Sequence, residues 1–150
     1  MSGVRILGIG SPSGDDQAGW LVVDALLAGG LDDIDIDKLD RPGASLIPML
    51  ENAAWVILID AMQGSGRVGG IQRFDRKDWP DYRHGLSSHG FGVLAALSLA
   101  RELGSLPPRL DLYGIEIGST NPGEDAAAVI AAAAQQLARR IADELPRTGR

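Results

Sequence analysis

The hydrophobic pattern alternates between two periods along the chain. Residues 4–9 form a short β-branched run that stops at Gly10, which reads as a buried strand. Over residues 15–28, Trp20, Val23 and Leu27 fall at i, i+3 and i+7, the spacing of one helix face. Gly29 and Gly30 then supply a stop. Residues 34–39 alternate apolar and acidic positions, predicting a half-buried strand near a sheet edge. Ser45 stands where it can cap a short helix running to Leu50. Residues 54–59 are continuously apolar and read as a second buried strand. Residues 69–74 read as another strand, with Gly66, Gly69 and Gly70 as turn signals. Ser87 and Ser88 precede a helical pattern over residues 90–103, and residues 110–115 form a further strand. Ile130, Ala134, Leu137, Ile141 and Leu145 make one stripe of a C-terminal helix.

Strands alternating with helices predict an α/β fold, a three-layer sandwich with a mostly parallel twisted sheet and helices on both faces. At 150 residues the chain is expected to be one domain over residues 1–145, followed by a polar tail, residues 146–150. The absence of Cys excludes disulfides, thiolate metal sites and a Cys nucleophile. A net charge of −6 argues against a nucleic-acid surface. No signal-peptide pattern opens the chain. Its apolar runs, residues 53–59 and 126–134, fall well short of the roughly 20 residues a membrane span requires. A cytoplasmic protein without a membrane partner is the expectation.

In a parallel α/β sheet, ligands sit beyond the carboxyl ends of the strands. The first such end reads Gly8-Ile9-Gly10-Ser11-Pro12-Ser13-Gly14-Asp15-Asp16. A glycine-rich turn before a helix can cradle phosphate, but Asp15 and Asp16 put negative charge there with no nearby Lys or Arg. A cation, a cationic substrate or simple acidic helix capping fits better than a nucleotide. The buried run 54–59 delivers Asp60 at its end, either as a ligand-facing carboxylate or as a turn residue. His89 opens the helix after Ser87 and Ser88, where the helix dipole favours neutral imidazole, the form that binds metal. The other histidine, His84, lies in a polar loop and reads as solvated. Asp16, Asp60 and His89 thus place two carboxylates and one imidazole on one expected edge, a donor set suited to Zn²⁺, Ni²⁺ or a similar divalent ion. Glu116 ends a strand and is a weaker candidate for the same cleft. Arg73, Arg76, Lys77 and Arg83, interleaved with Trp79 and Tyr82, are candidates for a partner-docking loop, and Pro42 and Gly43 for a wall of the cleft.

These segments resemble the hydrogenase maturation proteases. The stretch Ile6-Leu7-Gly8-Ile9-Gly10-Ser11-Pro12-Ser13-Gly14-Asp15-Asp16-Gln17-Ala18-Gly19 is similar to that family's opening. Val56-Ile57-Leu58-Ile59-Asp60-Ala61 and Ser87-Ser88-His89-Gly90 resemble its second and third signatures. Arg41-Pro42-Gly43-Ala44-Ser45-Leu46 and Gly114-Ile115-Glu116-Ile117-Gly118 fall at its remaining landmarks, so the resemblance covers nearly the whole chain. Ser11 stands where the family commonly has Asn. The resemblance implies an endopeptidase that removes a C-terminal extension from the large-subunit precursor of nickel-iron hydrogenase after nickel insertion. It implies that Asp16, Asp60 and His89 are the metal-contacting and catalytic residues, and that nickel is supplied by the precursor; zinc is the expected substitute in isolation. Metal-assisted hydrolysis, or general-base catalysis by one carboxylate, would then do the cutting. A non-catalytic metal-sensing or metal-binding module and a nucleotide-binding domain are the competing readings.

Overall fold

The computed structural model describes residues 2–31, 34–63, 66–74, 92–118, 123 and 125–145. Its strands are β1 (Ser2–Gly10), β2 (Asp35–Asp40), β3 (Ala53–Met62), β4 (Ile71–Phe74) and β5 (Arg109–Glu116). They form one sheet in the order β2-β1-β3-β5-β4. Pairings β1–β2, β1–β3 and β3–β5 are parallel, and β4 runs antiparallel to β5 at the edge. The helices are α1 (Ala18–Ala28), α2 (Leu46–Met49), α3 (Val93–Glu102) and α4 (Ala128–Glu144).

Strand alternation builds two cores. Ile6, Trp55, Ile57, Ile59, Tyr113 and Ile115 pack with α1 and α4 on one face. Leu7, Ile9, Val56, Leu58, Leu110 and Leu112 pack with α2 and α3 on the other. The expected three-layer α/β sandwich is therefore the observed one. The chain winds outward from β1 to β2, then returns to place β3 on the other side of β1. That reversal opens a crevice at the carboxyl ends of β1 and β3, the topological switch point.

Contact between α1 and the sheet defines this crevice. A Cβ on Gly19 would lie 2.4 Å from the Ile9 carbonyl oxygen and 2.7 Å from that of Ile59. A Cβ on Gly8 would lie 2.4 Å from the Gly19 carbonyl oxygen. Only paired glycines allow the helix backbone to rest on the strand backbones at this distance.

Several boundaries differ from the sequence pattern. The expected helix over 15–28 divides into a 3₁₀ turn, Gly14–Gln17, and α1. The buried face of α1 carries Ala18, Gly19, Val22, Val23 and Leu26, whereas Leu27 is exposed and Trp20 half-buried. The glycine contact sets the rotation of the helix, turning Gly19 with Val22, Val23 and Leu26 to the sheet and Leu27 to solvent. Ser45 does not cap α2; its hydroxyl donates to the Pro42 carbonyl. The second buried strand is longer than expected, so Asp60 lies inside β3 rather than after it. The last strand before α3 starts only at Ile71, because Gly69 and Gly70 form a turn hydrogen-bonded to Glu116. In α4 the predicted stripe is buried as expected, with Leu145 just past the helix end. The helix expected to open at His89 and run over 90–103 is α3, which starts only at Val93 because Gly92, its N-cap, is extended; residues 89–91 and the tail 146–150 lie outside the described residues.

Gly19→Ala is expected to destabilise the protein by about 1–3 kcal/mol through overpacking against backbone that cannot rotate away. Gly3→Ala, where a Cβ meets nothing within 4 Å, is expected to change stability by less than about 0.5 kcal/mol. Urea unfolding of the two variants checks the contrast.

Candidate active site

The turn between β1 and α1 folds back on itself. The Ser11 N–H donates to the Asp16 carbonyl oxygen at 3.2 Å, and the Asp16 N–H donates to the Ser13 carbonyl oxygen at 2.9 Å. Gly10 has no room for a side chain, since a Cβ there would lie 2.6 Å from the Asp16 carbonyl oxygen. These backbone amides are engaged within the turn, unlike those of a phosphate cradle, which point outward to the anion. The Ser11 hydroxyl, fully buried, donates to Asp16 Oδ2 at 2.5 Å.

Asp15 and Asp16 are both buried but do different work. Asp15 reaches across the fold to α4. Its Oδ1 accepts from the Ala127 N–H at 2.7 Å, and its Oδ2 from the Gly118 N–H at 3.0 Å. Ala127 is the N-cap of α4, so this carboxylate meets the positive end of that helix. The acidic capping foreseen for the turn is real, but it serves α4 rather than α1.

Asp60 sits in β3 opposite Gly114 of β5, one residue beyond the last β3 partner of β1, Ile59 opposite Gly8. It is only 1% exposed. Its Oδ1 accepts from the Ala61 N–H at 2.8 Å. Its Oδ2 is the one buried side-chain polar atom among the described residues without a hydrogen-bond partner. Burial pushes the Asp60 carboxyl well above the usual carboxylate range, and the charge of Asp16 pushes it further, partly opposed by the Ala61 N–H. The structure thus brings Asp16 and Asp60 together at the β1–β3 crevice.

Around this pair, the Arg41 N–H donates to the Gly10 carbonyl oxygen at 3.1 Å, which sets Arg41, Pro42 and Gly43 beside the end of β1. Arg41 holds a left-handed φ of 42° immediately before Pro42. Glu116 is buried at the end of β5, opposite Met62, and packs against Gly66. Its backbone ties β5 to the Gly69–Gly70 turn.

His89 and His84 lie outside the described residues, as do Arg76, Lys77, Trp79, Tyr82 and Arg83 of the expected docking loop. Arg73 belongs to β4 and bonds to Asp111 Oδ1 at 2.7 Å, so it is a structural arginine rather than part of a docking loop. Nothing in the sequence pattern singles out Asp111, a buried carboxylate that also accepts from Trp55 Nε1 at 2.9 Å and Arg109 Nε at 3.2 Å. Among the described residues no group of three or more His, Asp or Glu is gathered as for a metal. The two acids fit a cation on a narrower observation: a buried, unpartnered carboxylate oxygen beside a second carboxylate is a hard-oxygen donor pair that a divalent ion would satisfy.

A doubly wound α/β sheet with two acids buried at its switch point makes the β1–β3 crevice the candidate site. The chain belongs to the hydrogenase maturation protease family, whose model matches residues 42–144, and it is therefore a peptidase. The matched region includes Asp60 and His89, and Asp16 precedes it. The NiFe hydrogenase maturation protease HycI from Thermococcus kodakarensis is 25% identical, with 95% of this chain and 91% of that chain covered and a TM-score of 0.75. The hydrogenase maturating endopeptidase HybD from E. coli shares the fold at 22% identity, over 99% of this chain and 94% of that one, with a TM-score of 0.78. An endopeptidase from Escherichia coli does so at 23% identity, over 97% and 94%, with a TM-score of 0.81. The comparison with curated proteins gives no match.

The raised Asp60 carboxyl links stability to pH. The folded protein keeps this proton at pH values where the unfolded chain, at about 4, has released it. Stability is therefore lost as pH rises from about 4 towards the raised folded value. Asp60→Asn cannot ionise and escapes that loss. It is expected to be more stable than wild type at pH 7 by more than the roughly 0.5 kcal/mol of an ordinary surface change. The advantage is expected to vanish as pH falls to about 4, and denaturant unfolding at stepped pH checks it. A difference that does not vary with pH contradicts the assignment.

Proposed function

We propose that this protein is a cytoplasmic endopeptidase that removes the C-terminal extension of a nickel-iron hydrogenase large-subunit precursor after nickel has been inserted. The observation that carries the reading is the Asp60 Oδ2 atom, buried and unpartnered beside Asp16 in a hydrogenase maturation protease chain. An oxygen left unsatisfied in the free protein is suited to a cation brought by the substrate. In this reading Asp16, Asp60 and His89 contact the nickel that the precursor already holds. The metal is part of the substrate; zinc would be the substitute when the protein is studied alone.

The chain's own contribution is positional. The 3₁₀ turn presents Asp16, β3 presents Asp60, and the rim at Arg41–Gly43 borders the crevice that receives the precursor's C-terminal segment. Contact with the nickel would hold the scissile peptide at a fixed place relative to the two carboxylates. One of the two carboxylates could take a proton from the attacking water and pass it to the leaving amine. The absence of Cys excludes a thiolate nucleophile for this work.

The mass of the precursor's C-terminal region after incubation tests the reading. Wild type is expected to shorten nickel-loaded precursor and to leave nickel-free precursor intact. Asp16→Asn, Asp60→Asn and His89→Ala are each expected to slow cleavage by about 100-fold or more. Absence of shortening by wild type supports the metal-binding module instead, and wild-type rates in His89→Ala remove that residue from the site.

A further inference from the structure

We propose that Ser11 is a positioning residue for the reaction: its hydroxyl fixes the Asp16 carboxylate at the mouth of the β1–β3 crevice. This rests on the peptidase reading above and adds to it a residue that touches neither substrate nor metal. Ser11 is fully buried immediately after β1, and its Oγ lies 2.5 Å from Asp16 Oδ2. That separation is at the short end of hydroxyl-to-carboxylate bonds. A serine has one hydroxyl proton to donate, and here it is committed to this carboxylate.

The backbone of Asp16 is held by other means. Its carbonyl accepts from the Ser11 N–H and its N–H donates to the Ser13 carbonyl. Gly10 packs against the same carbonyl. The preceding residue, Asp15, is anchored to Gly118 and Ala127. None of these contacts uses the Ser11 hydroxyl. Removing that hydroxyl therefore leaves the turn in place and releases one restraint on the Asp16 side-chain torsions. An aspartate has two such torsions, and a displacement of about 1 Å at a reacting centre costs on the order of 100-fold in rate.

The test uses the full chain with nickel-loaded large-subunit precursor as substrate. Ser11→Ala removes the hydroxyl. Ser11→Thr keeps it and Ser11→Val is the same shape without it, so that pair decides the matter even where Ser11→Ala folds poorly. Ser11→Ala and Ser11→Val are expected to lower kcat by about 10- to 100-fold with KM within about twofold, and Ser11→Thr to stay close to wild type. A second readout is independent of catalysis. The Hα–Hβ couplings of Asp16 by NMR are expected to report one fixed rotamer in wild type and Ser11→Thr, and averaging in the other two. Wild-type kcat in Ser11→Val, or equal rates in the Thr and Val variants, overturns the inference. So does slow cleavage with the Asp16 rotamer still fixed. In each of these cases the peptidase reading stands provided that wild type cleaves and Asp16→Asn is slowed as above. Failure of wild type to shorten the precursor overturns the peptidase reading, and the positioning role falls with it.

Discussion

The close seating of α1 on the sheet is the constraint from which the site follows. Gly8 and Gly19 bring two backbones together where any Cβ would collide with a carbonyl oxygen. That contact sets the height of the helix above the β1–β3 crevice. The residues joining β1 to α1 then have little chain with which to cross, and they do so in a 3₁₀ turn. Asp16 is carried to the crevice as a consequence, while Asp15 turns away to α4. A helix standing at ordinary distance would need a longer connection, and the two acids would have no reason to divide their roles.

Buried acids in this protein are distinguished by their partners rather than by their burial. Asp111 accepts from an indole and two guanidinium groups, and Asp15 from two backbone N–H groups. Both are structural: each joins elements distant in sequence and uses both oxygens to do so. Asp60 is as deeply buried, yet it leaves one oxygen without a partner and has Asp16 as an electrostatic neighbour. An unsatisfied buried polar group costs about 1–3 kcal/mol, an appreciable part of a domain stability of about 5–15 kcal/mol. That cost makes Asp60 the buried acid with most to gain from a ligand.

Much of this was legible in the chain itself, and the failures have physical causes. Strand identity was readable because buried parallel strands are continuous apolar runs, as in residues 54–59. The switch-point rule then selected Asp16 and Asp60, and the structure brings both to the same crevice. The face of α1 is only partly legible: of Trp20, Val23 and Leu27, picked out by spacing, Val23 alone is buried, because the Gly8–Gly19 backbone contact sets the rotation of the helix. The separate duties of Asp15 and Asp16 were not legible, since one depends on N–H groups at Gly118 and Ala127, far along the chain. Asp111 is not singled out for the same reason: its partners Trp55 and Arg73 come from two other strands.

The two acids at the crevice differ in what a cation would do for them. Asp16 already has a hydroxyl donor on Oδ2, so its orientation is set before any ligand arrives. Asp60 has a backbone donor on Oδ1 and nothing on Oδ2, and burial favours its protonated form. A positive charge at the crevice would reverse that preference, because it stabilises the ionised carboxylate that burial and Asp16 oppose. In the proposed reading a metal-bearing precursor would bring such a charge to the crevice, and Asp60 would be the group that responds to it. A precursor lacking its metal would bring no such charge, and the raised proton affinity of Asp60 would persist. On that reading, desolvation of one carboxyl group would help the protein tell metal-loaded from metal-free precursor without any moving part.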